Sequence, residues 1–254
     1  MENSTAKFKG GRKSNRRRQG ENTVPPLTKE ALRQEILSRK QAGDLPDAGR
    51  TAERLRKLTP YRKALCVLCS PARELQQVRL NTLADGKKLL LPTPFLQKGF
   101  LFLDPRGISP SKRLKAVQPH PGNPFAARPP YQKPLAPPVD LIVSDAVAAA
   151  RDGSLLGDGR GHLDLQVAAL RELRWLHPAV QIVVVLDDDS VLEALPVEAY
   201  DVRAHWIVTP SAAVRTSCIE PPGATILWER LDRKTVRRND VLFHLRGRSI
   251  DKRT

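Results

Sequence analysis

The sequence predicts an α/β fold in which a parallel or mixed sheet carries helices on both faces. Two observations support this prediction. Short, continuously apolar runs, such as those at 64–69 and 139–143, are typical of strands that are buried on both faces. Between these runs lie segments whose apolar residues recur every three or four positions, as expected for amphipathic helices.

The first half of the chain is predicted to begin with a disordered basic segment over 1–26, which is poor in apolar residues and ends in Pro25-Pro26. Thr28 is a typical N-cap residue for the helix that follows it. The apolar spacing then predicts helices at 29–41, 48–58 and 72–83, and strands at 64–69, 88–91 and 99–103.

The second half opens with a Pro-rich, basic stretch over 104–138, for which no regular element is predicted. Alternation then resumes, with strands at 139–143, 182–186, 206–208 and 225–228 and helices at 162–176 and near Val191. One domain is therefore expected over 27–230, and a second disordered basic tail over 231–254.

Charge is concentrated at the two ends of this 254-residue chain, whose formal net charge is +16. Residues 1–20 hold seven basic residues and one acidic residue, and residues 229–254 hold nine and four. Such ends attract polyanions, including nucleic acid, without sequence selectivity, or they only keep the protein in solution. Three cysteines favour a reduced, cytoplasmic protein. No run of 18 apolar residues occurs, so no membrane contact is expected.

The most informative segment is the loop 157–164, which reads Gly-Asp-Gly-Arg-Gly-His-Leu-Asp and leads into a predicted helix. Glycine permits positive φ and close backbone approach, and the first N–H groups of a helix attract anions. In open α/β sheets, ligands bind at the carboxyl ends of the strands. The segment predicts a phosphate-binding loop, and an ordinary glycine-rich turn is the alternative.

A set of motifs occurs in a fixed order with this loop: Lys29-x-x-x-Arg33, Lys87-Lys88-Leu89-Leu90-Leu91-Pro92, Leu195-Pro196-Val197-Glu198-x-x-Asp201 and Trp206-Ile207-Val208-Thr209-Pro210. Together they resemble the 5-formyltetrahydrofolate cyclo-ligase family, also called methenyltetrahydrofolate synthetase. The resemblance covers about residues 27–230. It is strongest to the divergent branch of methenyltetrahydrofolate synthetase domain-containing proteins.

The resemblance implies a three-layer, Rossmann-like α/β fold and a ligase that uses ATP and Mg²⁺. Its substrate would be 5-formyltetrahydrofolate, and its product 5,10-methenyltetrahydrofolate. The formyl oxygen is phosphorylated in this reaction, and N10 then closes the ring with loss of phosphate. Such chemistry requires cations on the phosphates and preorganised backbone donors.

The resemblance also assigns roles to individual residues. It places Lys29 and Arg33 on the ATP phosphates, and Glu74 on the folate. The loop would wrap the triphosphate through Gly157, Gly159 and Gly161. Arg160 and His162 are further ATP-binding candidates, because they lie within this loop. Asp164 and Asp201 would bind Mg²⁺.

Each assignment has a simpler alternative. Lys29 and Arg33 lie one helical turn apart and are equally typical of a solvated helix face. Asp164 also suits the first turn of a helix, and Asp201 also suits a turn cap. The acidic run 187–189 is either a further Mg²⁺ site or, as we favour, a loop and helix start.

Three positions depart from the family pattern. Leu155 stands where active members carry Arg, His162-Leu163 replaces an aromatic pair, and Leu165 replaces a basic residue. The lost arginine removes a fixed cation from a phosphate site. Two functions therefore remain open: an ATP- and Mg²⁺-dependent cyclo-ligase, or a non-catalytic family member that binds RNA or another polyanion through its basic ends.

Overall fold

The computed structural model describes residues 28–39, 47–219 and 224–251. Its strands are β1 (Cys66–Cys69), β2 (Lys88–Pro92), β3 (Phe100–Leu103), β4 (Val139–Asp145), β5 (Ala148–Ala150), β6 (Leu155–Leu156), β7 (Leu176–Val185), β8 (Val191–Leu192), β9 (Trp206–Val208) and β10 (Ala213–Arg215). Its helices are α1 (Lys29–Arg39), α2 (Ala48–Arg56), α3 (Thr59–Lys63), α4 (Gln76–Ala84), α5 (Arg113–Ala116), α6 (His162–Glu172), α7 (Arg233–Arg238) and α8 (Asp240–Asp251).

The centre of the molecule is a seven-stranded sheet in the order β10-β9-β7-β4-β1-β2-β3. The five inner strands run parallel to one another, and only the edge strands β3 and β10 pair antiparallel with their neighbours. β1 is buried along its whole length, as its continuous apolar sequence requires. This mostly parallel sheet confirms the predicted fold class.

Helices cover both faces of this sheet and make the fold three-layered. Successive residues of β1 point to opposite faces, so Cys66 and Leu68 pack in one core while Val67 and Cys69 pack in the other. The first core includes α6, Trp175 and α8, and the second includes α2 and α4. The two cysteines are therefore packed in separate cores. Burial raises the pKa of each thiol to about 12.

A small second sheet, in the order β6-β5-β8, positions the glycine-rich loop. β5 follows the carboxyl end of β4, and β8 follows the carboxyl end of β7, so this sheet extends the carboxyl edge of the main one. The loop therefore leaves β6, after a β5–β6 hairpin, rather than the strand at 139–143 that the sequence suggested.

Several predicted elements are confirmed with shifted ends. The Thr28 hydroxyl accepts a hydrogen bond from the Ala31 N–H at 3.2 Å, as an N-cap should. α1 ends at Arg39 within the described residues, and residues 40 and 41 lie outside them. The helix predicted at 162–176 ends at Glu172 because the chain turns through Arg174, whose φ is +58°, into the long strand β7.

Other predictions are wrong. Val191 lies in strand β8, not in a helix, because it pairs with β5 of the small sheet. Residues 225–227 form no strand, and a single 3₁₀ turn over Trp228–Arg230 follows them. The Pro-rich stretch 104–138 holds the four-residue helix α5, although most of it is irregular as predicted.

The largest difference between prediction and structure lies in the C-terminal segment. The sequence predicts a disordered tail over 231–254, but the structure forms α7 and α8 there. Their apolar side chains, Val236, Val241, Leu242 and Leu245, are buried in the first core. The sequence shows the helical spacing of these apolar residues, but the basic composition of the segment favours the prediction of a disordered tail. The predicted basic tail over 1–26 lies outside the described residues.

Candidate functional site

The glycine-rich loop lies exposed between β6 and α6, at the carboxyl edge of the sheet. Gly159 and Gly161 have φ of +86° and +62°, which explains the need for glycine at both positions. The Asp158 carboxylate accepts a hydrogen bond from the Arg160 N–H at 3.0 Å and tightens the loop. Gly161 caps α6 without a side-chain hydrogen bond, so the first N–H groups of this 11-residue helix face outward beside the loop.

Helix α1 brings Arg33 directly onto this loop. The Arg33 Nε donates a hydrogen bond to the Gly157 carbonyl oxygen at 2.8 Å. Its guanidinium also closes over Gly159, where an added Cβ would lie 3.0 Å from the guanidinium carbon. Glu30 forms an ion pair with the same guanidinium. A fixed cation therefore lies against the loop, in contact with a segment 124 residues away in sequence.

Lys29, on the same face of α1, lies beside the two predicted metal-binding carboxylates. Its ammonium forms an ion pair with Asp201 and lies 3.6 Å from Glu198. The Asp201 carboxylate also accepts a hydrogen bond from the Glu198 N–H at 2.7 Å, so it caps a turn while it pairs with Lys29. The interpretation of Asp201 as a turn cap is therefore confirmed, and its role as a Mg²⁺ ligand stays a prediction.

Asp164 lies in the first turn of α6 and is half-buried. Its carboxylate accepts a hydrogen bond from the Val202 N–H at 2.9 Å, next to Asp201 in the chain. Burial raises the pKa of Asp164, and the nearby Asp201 charge raises it further, against the opposing effects of the Val202 hydrogen bond and Lys29. A carboxylate that is destabilised in this way gains from a bound cation. Among the described residues, no three His, Cys, Asp or Glu side chains are arranged to hold a metal ion.

Phe95, which sequence analysis missed, covers the other flank of the loop. It lies in the β2–β3 connection with φ +53°, and its side chain is 53% exposed. The Phe95 and His162 ring centroids are 5.1 Å apart in an edge-to-face arrangement, and the Arg160 guanidinium carbon lies 5.6 Å from the Phe95 ring centroid. No local motif marks this residue. Only the juxtaposition of two distant connections reveals it.

Arg160 and His162 therefore both contact the Phe95 ring. The His162 Nδ1 lies 3.3 Å from an Asp158 carboxylate oxygen. Leu155, Leu163 and Leu165, which replace family-typical polar or aromatic residues, pack partly against the first core instead. These three positions support the fold rather than supply charge to the loop.

Glu74 belongs to a different connection of the main sheet. It occupies a 3₁₀ turn after β1, at the carboxyl edge of a neighbouring strand. The buried Arg79 side chain shapes this turn by donating hydrogen bonds to the Ser70 and Ala72 carbonyl oxygens at 2.8 and 2.7 Å. In the part of the chain that the structure describes, no hydrogen bond or ion pair joins Glu74 to the loop or to α1.

The acidic run 187–189 leads into a 3₁₀ turn over Asp188–Ser190, so the loop part of the favoured interpretation is confirmed, while strand β8 follows in place of the expected α-helix. Asp188 accepts hydrogen bonds from the Thr209 and Ser211 hydroxyls, and these bonds lower its pKa.

A separate cleft of about 490 Å³ lies at the amino ends of β1 and β2. Polar groups in this cleft are paired with one another, because the Tyr61 hydroxyl and the Arg56 guanidinium both donate hydrogen bonds to the Asp85 carboxylate. No described helix is both long and apolar enough to cross a membrane.

Comparison with known proteins identifies a matching family and several relatives. The sequence profile of the 5-formyltetrahydrofolate cyclo-ligase family matches residues 27–210. The "Methenyltetrahydrofolate synthase domain-containing protein" of Mus musculus is 26% identical over 245 residues, which cover 89% of this chain and 65% of that protein. Its Homo sapiens counterpart is 26% identical over 201 residues, which cover 77% and 52%. The chain thus spans between half and two thirds of the length of these curated relatives.

A solved structure supports the fold independently. The NMR structure of Aquifex aeolicus 5,10-methenyltetrahydrofolate synthetase superposes with a TM-score of 0.52. The match covers 76% of this chain and 95% of that chain at 18% sequence identity. At this identity the likeness concerns the fold alone.

Proposed function

Because this chain belongs to the 5-formyltetrahydrofolate cyclo-ligase family, we propose that it is an ATP- and Mg²⁺-dependent ligase that converts 5-formyltetrahydrofolate to 5,10-methenyltetrahydrofolate. The observation that carries the proposal is the convergence of Lys29 and Arg33 with the glycine-rich loop, Asp164 and Asp201. Cations, backbone donors and carboxylates from three separate segments meet at the carboxyl edge of the sheet, where α/β folds bind ligands.

The cationic residues have the chemistry to hold a triphosphate. Arg33 presents a planar fork of donors and Lys29 a compact ammonium, and both lie against the loop or its carboxylates. Positive φ at Gly159 and Gly161 lets the backbone approach an anion closely. ATP, when bound, supplies the phosphoryl group that activates the formyl oxygen.

Asp164 and Asp201 fit a magnesium site that shares its ligands with phosphate. Mg²⁺ in nucleotide sites keeps several waters and uses only one or two carboxylates. Burial and the nearby Asp201 charge raise the pKa of Asp164, and a bound cation would favour its charged form. Lys29 would exchange part of its interaction with Asp201 for the phosphate, and the metal would then neutralise the carboxylates.

The test is turnover and nucleotide binding by the purified chain. We expect 5-formyltetrahydrofolate to yield a product with methenyl absorbance only when ATP and Mg²⁺ are both present. ATP with Mg²⁺ should raise the melting temperature, and Asp164→Ala should abolish that increase. Absence of both turnover and thermal stabilisation would reject the proposal.

A second candidate function is a non-catalytic family member. It is favoured by Leu155, Leu163 and Leu165, which pack toward the core where active members carry groups for phosphate or substrate. The basic ends would then carry the function, through RNA or another polyanion. Stabilisation by ATP with Mg²⁺ but no methenyl product, together with salt-sensitive RNA binding, would select this candidate over the ligase.

A further inference from the structure

Helix α7 concentrates positive charge that forms no side-chain ion pair among the described residues. Arg233, Lys234, Arg237 and Arg238 are all exposed, and together they line a cleft of about 400 Å³. None of the four forms an ion pair with a side chain that the structure describes. This differs from the loop region, where Lys29 and Arg33 each have an acidic partner.

The sequence of α7 places like charges where they repel. Arg233 and Arg237, and likewise Lys234 and Arg238, are four residues apart and share a helical face. Such pairs destabilise a helix rather than support it. Since the cluster weakens the helix that carries it, an anion outside the described fold is the natural source of compensation.

The helix is nevertheless held firmly in place. The Asp232 carboxylate caps it by accepting a hydrogen bond from the Thr235 N–H at 2.8 Å. Val236 is buried in the first core. After the helix, the Asn239 side-chain amide donates a hydrogen bond to the Phe95 carbonyl oxygen at 2.9 Å. The cluster is therefore a fixed surface rather than a flexible basic tail.

An exposed aromatic side chain follows on the next helix. Phe243 is 64% exposed, and Arg246 lies three residues later on the same side of α8. Basic residues that track a phosphate backbone, combined with an aromatic ring on which bases stack, are the chemistry of single-strand binding. The other apolar residues of this region, Val236, Val241, Leu242 and Leu245, are buried. A bilayer would need an exposed apolar face, and this surface lacks one within the described residues.

We propose that α7 and the first turns of α8 bind the phosphodiester backbone of single-stranded nucleic acid. Arg233, Lys234, Arg237 and Arg238 contact successive phosphates, and Phe243 stacks on a base. Three arginines suit this role because the guanidinium fork matches phosphate oxygens bidentately. The proposal concerns a surface other than the loop site and does not depend on the ligase activity.

The test is binding of the full chain to a fluorescent oligouridine of about 15 nucleotides, followed by anisotropy. The variant carries Gln at Arg233, Lys234, Arg237 and Arg238. The matched control loses the same charge through Gln at four exposed lysines elsewhere: Lys57, Lys63, Lys112 and Lys115. We expect the α7 variant to weaken binding at least about 30-fold at low salt, and the control to weaken it less than about threefold.

The salt dependence gives an independent readout. Loss of four phosphate contacts should reduce the slope of log affinity against log salt by about 3, measured between about 50 and 200 mM salt. Phe243→Ala should weaken binding about tenfold without changing this slope. Circular dichroism and melting of every variant show whether it is folded. The single substitutions Arg237→Gln and Arg238→Gln repeat the test with smaller perturbation.

Three outcomes would overturn the proposal. The first is equal weakening by the α7 and control variants, which means that net charge alone drives binding. The second is unchanged binding by the α7 variant. The third is binding to vesicles that contain phosphatidylserine without binding to RNA, which identifies a membrane surface.

Discussion

The glycine-rich loop and helix α7 both place basic side chains at the surface, but only the loop region pairs them with acidic groups. Lys29 contacts Asp201 from 172 residues away, and Arg33 contacts both Glu30 and the Gly157 carbonyl oxygen. On α7, four neighbouring cations have no such partners among the described side chains. Charges that are paired across the fold support its geometry, whereas unpaired charges at fixed positions indicate a partner outside it.

This difference predicts opposite consequences of removing a cation. In the loop region, removal leaves a carboxylate uncompensated and should lower both stability and activity. On α7, removal relieves repulsion and should raise stability. Lys29→Met and Arg237→Gln test this contrast directly, and Gly159→Ala and Asp164→Asn test the contacts of the loop region; the four follow in order of decreasing expected effect.

Lys29→Met should have the largest effect. It removes a cation from the proposed triphosphate site and leaves Asp201 and Glu198 without their shared partner. We expect kcat/KM for ATP to fall about 100-fold, as for other lost electrostatic contacts to a reacting phosphate or oxyanion. Arg39→Met, at the far end of α1, is the matched control because its pair with Glu35 is solvent-exposed. Equal losses in both variants would contradict a specific role for Lys29.

Gly159→Ala should destabilise the protein by about 1–2 kcal/mol, measured by chemical denaturation. Its φ of +86° disfavours any side chain, and the new methyl group would meet the Arg33 guanidinium. Gly157→Ala is the control within the same loop, since an added Cβ there meets nothing within 4 Å. Comparable destabilisation of the two variants would mean that the Arg33 contact does not constrain the loop.

Asp164→Asn should raise stability while it abolishes the stabilising effect of ATP with Mg²⁺. The folded protein holds the Asp164 pKa above its ordinary value. As pH rises from that ordinary value through the raised one, the native state therefore retains a proton that the unfolded state has lost, and stability falls. Asn carries no charge and can still accept the Val202 hydrogen bond.

We expect a melting temperature roughly 1–3 °C above that of the parent protein at neutral pH. The gain should disappear at low pH, where Asp164 is protonated in both states. A variant that is less stable than the parent at neutral pH would show that the Asp164 charge is fully compensated in the free protein.

Arg237→Gln should produce the smallest change and the opposite sign to Lys29→Met. Relief of the repulsion with Arg233 should stabilise the protein by about 0.2–0.5 kcal/mol at low ionic strength. Added salt should remove the difference, because exposed charges are screened. The measurement is a pair of urea denaturation curves at low and high salt. A loss of stability would mean that α7 is compensated within the protein after all.

Much of the fold was accessible from the sequence because its signals are local. The continuous apolar runs identified the inner strands. For β9 the predicted ends, Trp206–Val208, are those of the structure. Thr28 marked the start of α1 through the chemistry of its hydroxyl. The strand predicted at 225–228 and the helix near Val191 failed because their short patterns do not distinguish helix, strand and coil.

The family resemblance indicated which residues belong to the candidate site, but it could not place Phe95 beside the loop. The position of Phe95 depends on how the β2–β3 connection meets the loop, and neither segment encodes the other. The C-terminal helices were missed for a related reason. Their basic composition resembled a tail, and only packing of Val236, Leu242 and Leu245 against the sheet makes them part of the core.

The alternation of strands and helices, the need for glycine in the loop and the excess of positive charge can be read from the amino-acid sequence, because each follows from local backbone and side-chain chemistry. The tertiary structure decided which charges meet. It placed Arg33 on the loop and Lys29 on Asp201, and it left the cations of α7 facing outward. Pairing between distant segments depends on how the elements pack in three dimensions, and this information is not contained in any one of them.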